Sequence, residues 1–276
     1  MAEKINEQFN IEMKLLSWNV NSIRSRLGHI EKIISEESPD ILCLQETKVE
    51  NDKFPKKFFN ELGYKFIHIN GIKAYNGVCI ITKQKSEKDK IVNWCDLNDG
   101  RHISIKISKI HIHNLYIPAG GEEPNPQNNK KFEHKLNFLD ELINWSRKNK
   151  KNKTILCGDF NIAPNENDVW SHKQLINTVS HTPIEIKKLN EFLNTGPWID
   201  LIKEKIFPPS NLFTWWSYRS PDYKKSNRGR RLDHFWCSLD LKSEVKTVRI
   251  LKHTRDWKKP SDHVPVLINL KKIKFC

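Results

Sequence analysis

Eight residues carry side chains able to do chemistry, and they fall at similar places along the chain. Asn19 follows the apolar run LLSW, and Glu46 follows ILCLQ. Tyr116 lies near the end of IHIHNLYIP, and Asp159 and Asn161 follow TILCG. Asp233 sits in RRLDHF at the start of another apolar run, and Asp262-His263 immediately precede the last one. Each has an ordinary explanation by itself. A Glu after a strand caps a helix or faces solvent, and an Asp-His pair makes a turn. Together they are a set of acids, amides, a phenol and an imidazole at predicted strand ends, where α/β proteins gather their reactive groups.

Hydrophobic periodicity supplies the elements that must position this set. Residues 13–20 read as a strand. Residues 21–37 read as a helix, with Ile23, Leu27, Ile30, Ile33 and Ile34 at helical spacing. Pro39-Asp40 breaks it, and ILCLQ is a short strand buried on both faces. A helical stretch at 54–62 ends at Gly63, and strands follow at 64–69, 77–82, 102–107 and 110–117. PAGGEEPNPQNN carries strong turn signals. Residues 131–149 form a long amphipathic helix, 154–162 a strand running into a loop, and 184–193 a helix. Late strands are expected at 230–238, 244–251 and 264–270. The segments LLSWNVN and TILCGDFNIAP are two similar beats, an apolar strand ending in an Asn-containing turn. They suggest two related halves packed sheet on sheet with helices outside.

The chain has 276 residues, 9 Trp and 13 Phe, enough to build a sizeable core and too aromatic for a disordered chain. No apolar run reaches the length of a membrane span. Residues 1–12 are a polar leader without an apolar signal segment, so a cytoplasmic protein is expected. No interior linker interrupts the remainder, so residues 13–276 are expected to form a single domain acting as a monomer. With 47 Lys plus Arg against 33 Asp plus Glu, the net charge is +14. Such an excess favours a polyanionic partner, above all nucleic acid; the plainer reading is a solubilising lysine-rich surface. Cys43, Cys79, Cys95, Cys157, Cys237 and Cys276 show no paired spacing. They read as small core residues in a reducing compartment, with neither a zinc site nor a disulfide framework.

The segments SWNVNSIRSR, DILCLQETKV, GDFNIAP, TWWSYRS, NRGRRLD and PSDHVPV, in that order, resemble the exonuclease III group of abasic-site endonucleases. That group belongs to the DNase I-like endonuclease/exonuclease/phosphatase superfamily. The resemblance spans almost the whole chain and is narrowed to the group by TWWSYRS and NRGRRLD. It implies an α/β fold, a four-layered sandwich with two central mixed β-sheets flanked by helices. It also implies that Glu46 and Asn19 hold a catalytic Mg²⁺, with Mn²⁺ as a substitute. The chemistry agrees, because Mg²⁺ takes one or two protein oxygens and keeps water for substrate phosphate. By the same resemblance Asp159 positions or deprotonates the attacking water, and Asn161 donates to the transition-state oxygen. His263 binds the scissile phosphate, oriented by Asp233, and Tyr116 contacts the phosphate or leaving group. Asp262, with Asp159, Asn161 and His263, serves a second metal position.

Trp215 and Leu232 resemble the walls of the group's pocket for a flipped, baseless sugar. Trp216 and Tyr218 read as packing residues. Arg219 and the basic run 224–231 are expected to track the DNA backbone. One departure stands out: Arg230 occupies a position where the group usually has a bulky apolar residue. Its guanidinium either stacks on the substrate or turns outward. His234 and Trp236 stand where many relatives have aliphatics and read as packing. The activity implied is Mg²⁺-dependent DNA repair. Phosphodiesters 5′ to abasic sites are hydrolysed, and nucleotides or blocking groups are removed from 3′ ends of double-stranded DNA. The alternative is the same chemistry on RNA or another phosphoester.

Overall fold

The computed structural model describes residues 10–88, 90–149, 153–207, 212–220 and 222–274; most of the polar leader and Cys276 lie outside them. In chain order the elements are β1 (Asn10–Asn19), α1 (Ile23–Glu37), β2 (Ile41–Gln45), α2 (Lys56–Glu61), β3 (Phe66–Asn70), β4 (Val78–Thr82) and β5 (Glu87–Lys88). Next come β6 (His102–Ile107), β7 (Ile110–Tyr116), α3 (Lys130–Lys148), β8 (Thr154–Asp159), α4 (His172–Leu175), α5 (Pro183–Thr195), β9 (Trp198–Asp200) and α6 (Leu201–Lys205). The last are β10 (Trp215–Trp216), α7 (Tyr223–Ser226), β11 (Gly229–Arg230), β12 (Asp233–Ser238), β13 (Val245–Ile250) and β14 (Val266–Lys274).

Two six-stranded sheets result. One runs β13-β14-β1-β2-β4-β3 and the other β5-β6-β7-β8-β12-β9, while β10 and β11 pair separately. The pairs β1–β2 and β7–β8 are parallel and their other ladders antiparallel, so both sheets are mixed. Read from its other edge, the second sheet becomes β9-β12-β8-β7-β6-β5. Its parallel pair then falls at the same place as in the first, and β1 and β8, the two similar beats of the sequence, are equivalent strands.

Side-chain alternation creates the layers. Ile41 and Cys43 of β2 enter a core shared by both sheets, with Ile155 and Cys157 of β8 and Phe235 and Cys237 of β12. Leu42 and Leu44 point the other way, onto Ile23, Ile30 and Ile33 of α1. Leu156 and Trp236 of the second sheet meet Phe138, Leu139 and Leu142 of α3 and Leu189 and Phe192 of α5. The order is helix, sheet, sheet, helix, the four-layered sandwich expected from the sequence. Each fully buried Ile or Leu contributes about 1.5–3 kcal/mol, and dozens are buried, so the fold can carry a costly polar edge.

Several boundaries differ from the periodicity. β1 starts at Asn10 rather than at residue 13, because Asn10 and Ile11 pair with Lys274 and Ile273 of β14. The strand expected over residues 230–238 is broken into β11 and β12 at Arg231-Leu232. There Arg231 turns inward and is fully buried. It donates to both carboxylate oxygens of Asp168 at 2.7 and 2.9 Å and to Asp200 at 2.8 Å. The elements β5, β9, α4, α6 and α7 are too short to leave a periodic signature.

The Arg231 cluster is a structural tie between β12, β9 and the loop before α4. Arg231→Met should cost about 3–5 kcal/mol, because two buried carboxylates lose their cation. Urea denaturation measures this; a change below about 1 kcal/mol would mean the carboxylates find other partners.

Candidate active site

The sheet registers bring the reactive residues to one edge of the sandwich. Asn19, Tyr116 and Asp159 are the last residues of β1, β7 and β8, and Glu46 follows β2. Asp233 is the first residue of the antiparallel strand β12, and His263 precedes β14. Tyr116, Asp159 and Asp233 lie side by side in register across three adjacent strands. At Gly158, φ is +135° and an added Cβ would collide with the Leu115 carbonyl; only glycine lets β7 and β8 approach this closely beside Asp159.

Asn19 joins the two sheets. Its Nδ2 donates to Glu46 Oε1 and to Asp159 Oδ2, each at 2.9 Å, and stands 3.5 Å from His263 Nε2. Tyr116 donates its hydroxyl to Glu46 Oε1 at 2.9 Å, and Lys48 holds Glu46 Oε2 at 2.8 Å. His263 contacts Asp233 through Nδ1 at 2.8 Å and approaches Asp159 through Nε2 at 3.6 Å. Asn161 donates its backbone N–H to Asp159 Oδ1 at 2.9 Å and its amide to Asp159 Oδ2 at 3.1 Å. The two residues face one place because β8 has ended and Asn161 adopts φ +53°, so a turn brings them together.

Electrostatics follow from burial. Burial pushes the Asp159 carboxyl up to about 7; Asp233 and Glu46 add repulsion, while His263 and Asn19 oppose it. Burial alone would lower His263, but the Asp233 and Asp159 carboxylates outweigh it and raise the imidazole to about 10. Burial likewise opposes ionisation of Glu46, yet hydrogen bonds from Asn19 and Lys48 hold it below the usual carboxylate range. Tyr116 is driven well above its ordinary value by burial and by the Glu46 and Asp159 charges, so its phenol remains a donor. Three acids thus crowd a buried edge served by one lysine and one imidazole. Asp159, Asp233 and His263 bring ligand atoms within 4.8 Å of one another and form a group that could hold a metal ion. Crowded hard oxygen donors with an acid raised by burial suit a divalent cation.

A cleft of about 490 Å³ opens over this edge. Glu46, Tyr116, Asp159, Asn161, Asp262 and His263 line its floor and sides together with Trp215, Leu232, Arg219 and Arg230, while Asn19 and Asp233 support it from beneath. Asp262 is engaged on the wall, accepting from Trp215 Nε1 at 3.0 Å and from Asn21 Nδ2 at 3.1 Å. Arg230 points into the cleft, its guanidinium 5.4 Å from the Trp215 ring centroid. Arg219 is on the exposed rim, paired with Glu122 at 3.1 Å.

The basic run splits. Lys224 pairs with Asp256 at 2.9 Å, Arg228 lies over the Trp170 ring, and Arg231 is an internal ion pair that cannot reach DNA. Trp216 and Trp236 are buried packing residues, but Tyr218 is 50% exposed and donates to the Pro260 carbonyl at 2.8 Å. His234 is buried, bonded to the Ile162 carbonyl at 2.8 Å and stacked on Phe160; burial and Arg231 push it down to about 4, so it stays neutral.

Sequence reasoning missed the supports. Trp18 Nε1 donates to the His263 carbonyl at 3.0 Å, and Ser261 Oγ to the Asn19 carbonyl at 2.7 Å. Thr214 Oγ1 accepts the backbone N–H groups of Leu232 and Asp233, each at 3.1 Å. Gln45 donates to Asn114 at 2.7 Å between the sheets. Trp18, Gln45, Thr214 and Ser261 adjoin reactive residues or the Trp215 wall of the cleft in sequence, which is the only signal they leave.

Comparison with known proteins agrees with this geometry. The model of the Endonuclease/Exonuclease/phosphatase family matches residues 16–263. The chain is 30% identical to exodeoxyribonuclease III of Haemophilus influenzae, over 94% of this chain and 100% of that one. It is 29% identical to the DNA-(apurinic or apyrimidinic site) endonuclease of Dictyostelium discoideum, over 92% of this chain and 70% of that one. Among solved structures, a Neisseria 3′ phosphatase bound to a product DNA hairpin superposes with a TM-score of 0.85 at 29% identity, covering 94% of this chain and 99% of that one. An AP endonuclease from Archaeoglobus fulgidus gives 0.84 at 32% identity, covering 94% and 99%.

The raised His263 sets a pH dependence. Its ion pair with Asp233 adds stability that is fully present below its unfolded pKa of about 6.5 and is lost as pH rises through about 10. In metal-free buffer the stability advantage of the wild type over Asp233→Asn should therefore shrink between pH 6.5 and 10. Urea titrations across that range measure it, and a constant difference would contradict the pairing.

Proposed function

The chain belongs to the endonuclease/exonuclease/phosphatase family, and from that premise we propose that it is a metal-dependent DNA repair nuclease. It hydrolyses phosphodiesters 5′ to abasic sites and removes nucleotides or blocking groups from 3′ ends of duplex DNA. The observation that carries this reading is the convergence of Asp159, Asn161 and the His263–Asp233 pair on one cleft floor beside the Trp215 and Leu232 wall. Residues 13–276 act as one domain, as a monomer, in the cytoplasm.

The residues divide the work. Asp159, raised toward neutrality by burial, accepts the proton of the attacking water. Asn161 and His263 donate to the phosphoryl oxygens as charge builds. Asp233 fixes the imidazole with Nε2 toward the cleft and keeps it cationic. Tyr116 donates from its phenol beside Glu46. Glu46 and Asn19 would hold Mg²⁺, with Asp159, Asn161, Asp262 and, once it has lost its Nε2 proton, His263 offering the alternative position. The ion supplies charge neutralisation at the phosphate. The P–O3′ bond breaks, leaving a 3′-hydroxyl and a fragment that keeps the phosphate. Trp215 and Leu232 wall the part of the cleft that would take a baseless sugar, and Arg219 meets the backbone at the rim.

The test is a labelled duplex with one internal tetrahydrofuran abasic analogue, run with Mg²⁺ beside an intact duplex and an RNA–DNA hybrid. A single 5′ cut at the analogue, abolished by EDTA, is expected. Preference for the hybrid would move the substrate to RNA. Asp159→Asn and His263→Ala should each lower kcat by about 10²–10³-fold or more with DNA affinity nearly unchanged. Equal losses of binding and turnover would remove these residues from the chemical step.

A further inference from the structure

Arg230 and Arg231 are neighbours in sequence and opposite in circumstance. Arg231 satisfies its fork with Asp168 and Asp200. Arg230 faces the cleft, and none of the ion pairs among the described residues includes it. Its Nη1 donates to the Val179 carbonyl at 3.0 Å and to Ser180 Oγ at 2.7 Å, both neutral, and its Nε is buried with no acceptor. Glu185 is the acid whose charge reaches it, but that carboxylate is held by Lys135 at 2.5 Å and by the backbone N–H groups of Ser180 and Thr182. A largely buried cation without a counter-charge is costly, and an incoming anion relieves that cost.

The location decides which anion. Trp215 forms a bridge to His263 on one side and pairs with Arg230 on the other. Cross-strand neighbours lie about 4.5–5.5 Å apart, so the backbones of Arg230 and His263 stand about 10 Å apart. Both side chains line the same cleft, so a group esterified to a phosphate at His263 extends along the Trp215 wall toward Arg230. The guanidinium lies over the Trp215 ring, 5.4 Å from its centroid, and its planar fork is the group that recognises a carboxylate or phosphate in bidentate fashion.

We propose that Arg230 makes this pocket a receptor for an anion carried by the fragment that is removed. The enzyme then prefers phosphodiesters whose departing fragment bears a carboxylate or a further phosphate over neutral fragments of the same size. This rests on the nuclease reading above and adds a specificity-determining residue to it. In the reaction, water adds to phosphorus and the P–O3′ bond breaks. The DNA 3′ oxygen takes a proton, and the fragment leaves with its phosphate and its second anion, the latter paired with Arg230.

The experiment compares kcat/KM on three duplexes: one ending in 3′-phosphoglycolate, one ending in its neutral 2-hydroxyethyl counterpart, and one with an internal tetrahydrofuran site. Wild type should favour glycolate over hydroxyethyl by tenfold or more. Arg230→Gln should bring that ratio close to one, Arg230→Lys should retain part of it, and Ser180→Ala, which frees Nη1 without removing the charge, should lower it partly. If the Arg230→Gln loss is confined to glycolate ends, the anion is the terminal carboxylate. If it is equal on the tetrahydrofuran duplex, the anion is the next phosphate of the strand. A wild-type ratio near one, or a ratio unchanged in Arg230→Gln, overturns the proposal while leaving the nuclease reading intact. Failure of the wild type to cut any of the three overturns both.

Discussion

One amide holds the reactive edge together. Asn19 ends a central strand of the first sheet, and its Nδ2 reaches both Glu46 of the same sheet and Asp159 of the other. These partners are 27 and 140 residues away in the chain. The contact exists only because two sheets with the same strand order pack face to face with their equivalent strands ending together. Every other feature of the site hangs on that alignment: the Tyr116–Glu46 bond, the approach of His263 to Asp159, and the cleft above them.

The edge is electrostatically expensive, and the interior makes it tolerable. Near the site the inter-sheet layer turns polar, with Gln45 Nε2 donating to Ser17 and to Asn114. Asp233, His263 and Asp159 then stack buried charge upon buried charge. Burial raises Asp159 and favours its neutral form, while the paired carboxylates raise His263 and favour its charged form. Both pKa values rise, Asp159 to about 7 and His263 to about 10, so between them a carboxylate able to accept a proton stands beside an imidazole that still carries one, which is what a hydrolytic site requires.

The two adjacent arginines show how environment overrides residue type. Both lie in a basic run that reads as a single surface feature. Arg231 has the neighbouring strand β9 and the Asp168 loop to neutralise it and becomes part of the core. Arg230, one residue earlier, emerges beside Trp215 and forms no ion pair among the described residues. Arg230 ends the short strand β11 and lines the cleft, whereas Arg231 lies in the break before β12 and turns inward.

The sequence by itself determined the layers and the identity of the reactive set. Continuous apolar runs such as ILCLQ and TILCG dictate strands buried on both faces, and the ends of those strands name Asn19, Glu46, Asp159 and Asn161. Alternation and helical spacing are local consequences of backbone geometry, so they are written into adjacent residues. Only the tertiary structure decided how the set is assembled. Trp18 gripping the His263 carbonyl, Ser261 gripping Asn19, and Thr214 bracing Asp233 depend on contacts between residues 19 to 245 positions apart. It also decided that Tyr218 is exposed, that the strand predicted over 230–238 breaks, and that Arg231 is internal. Those outcomes follow from which charges meet across the fold, and no local period in the chain encodes that.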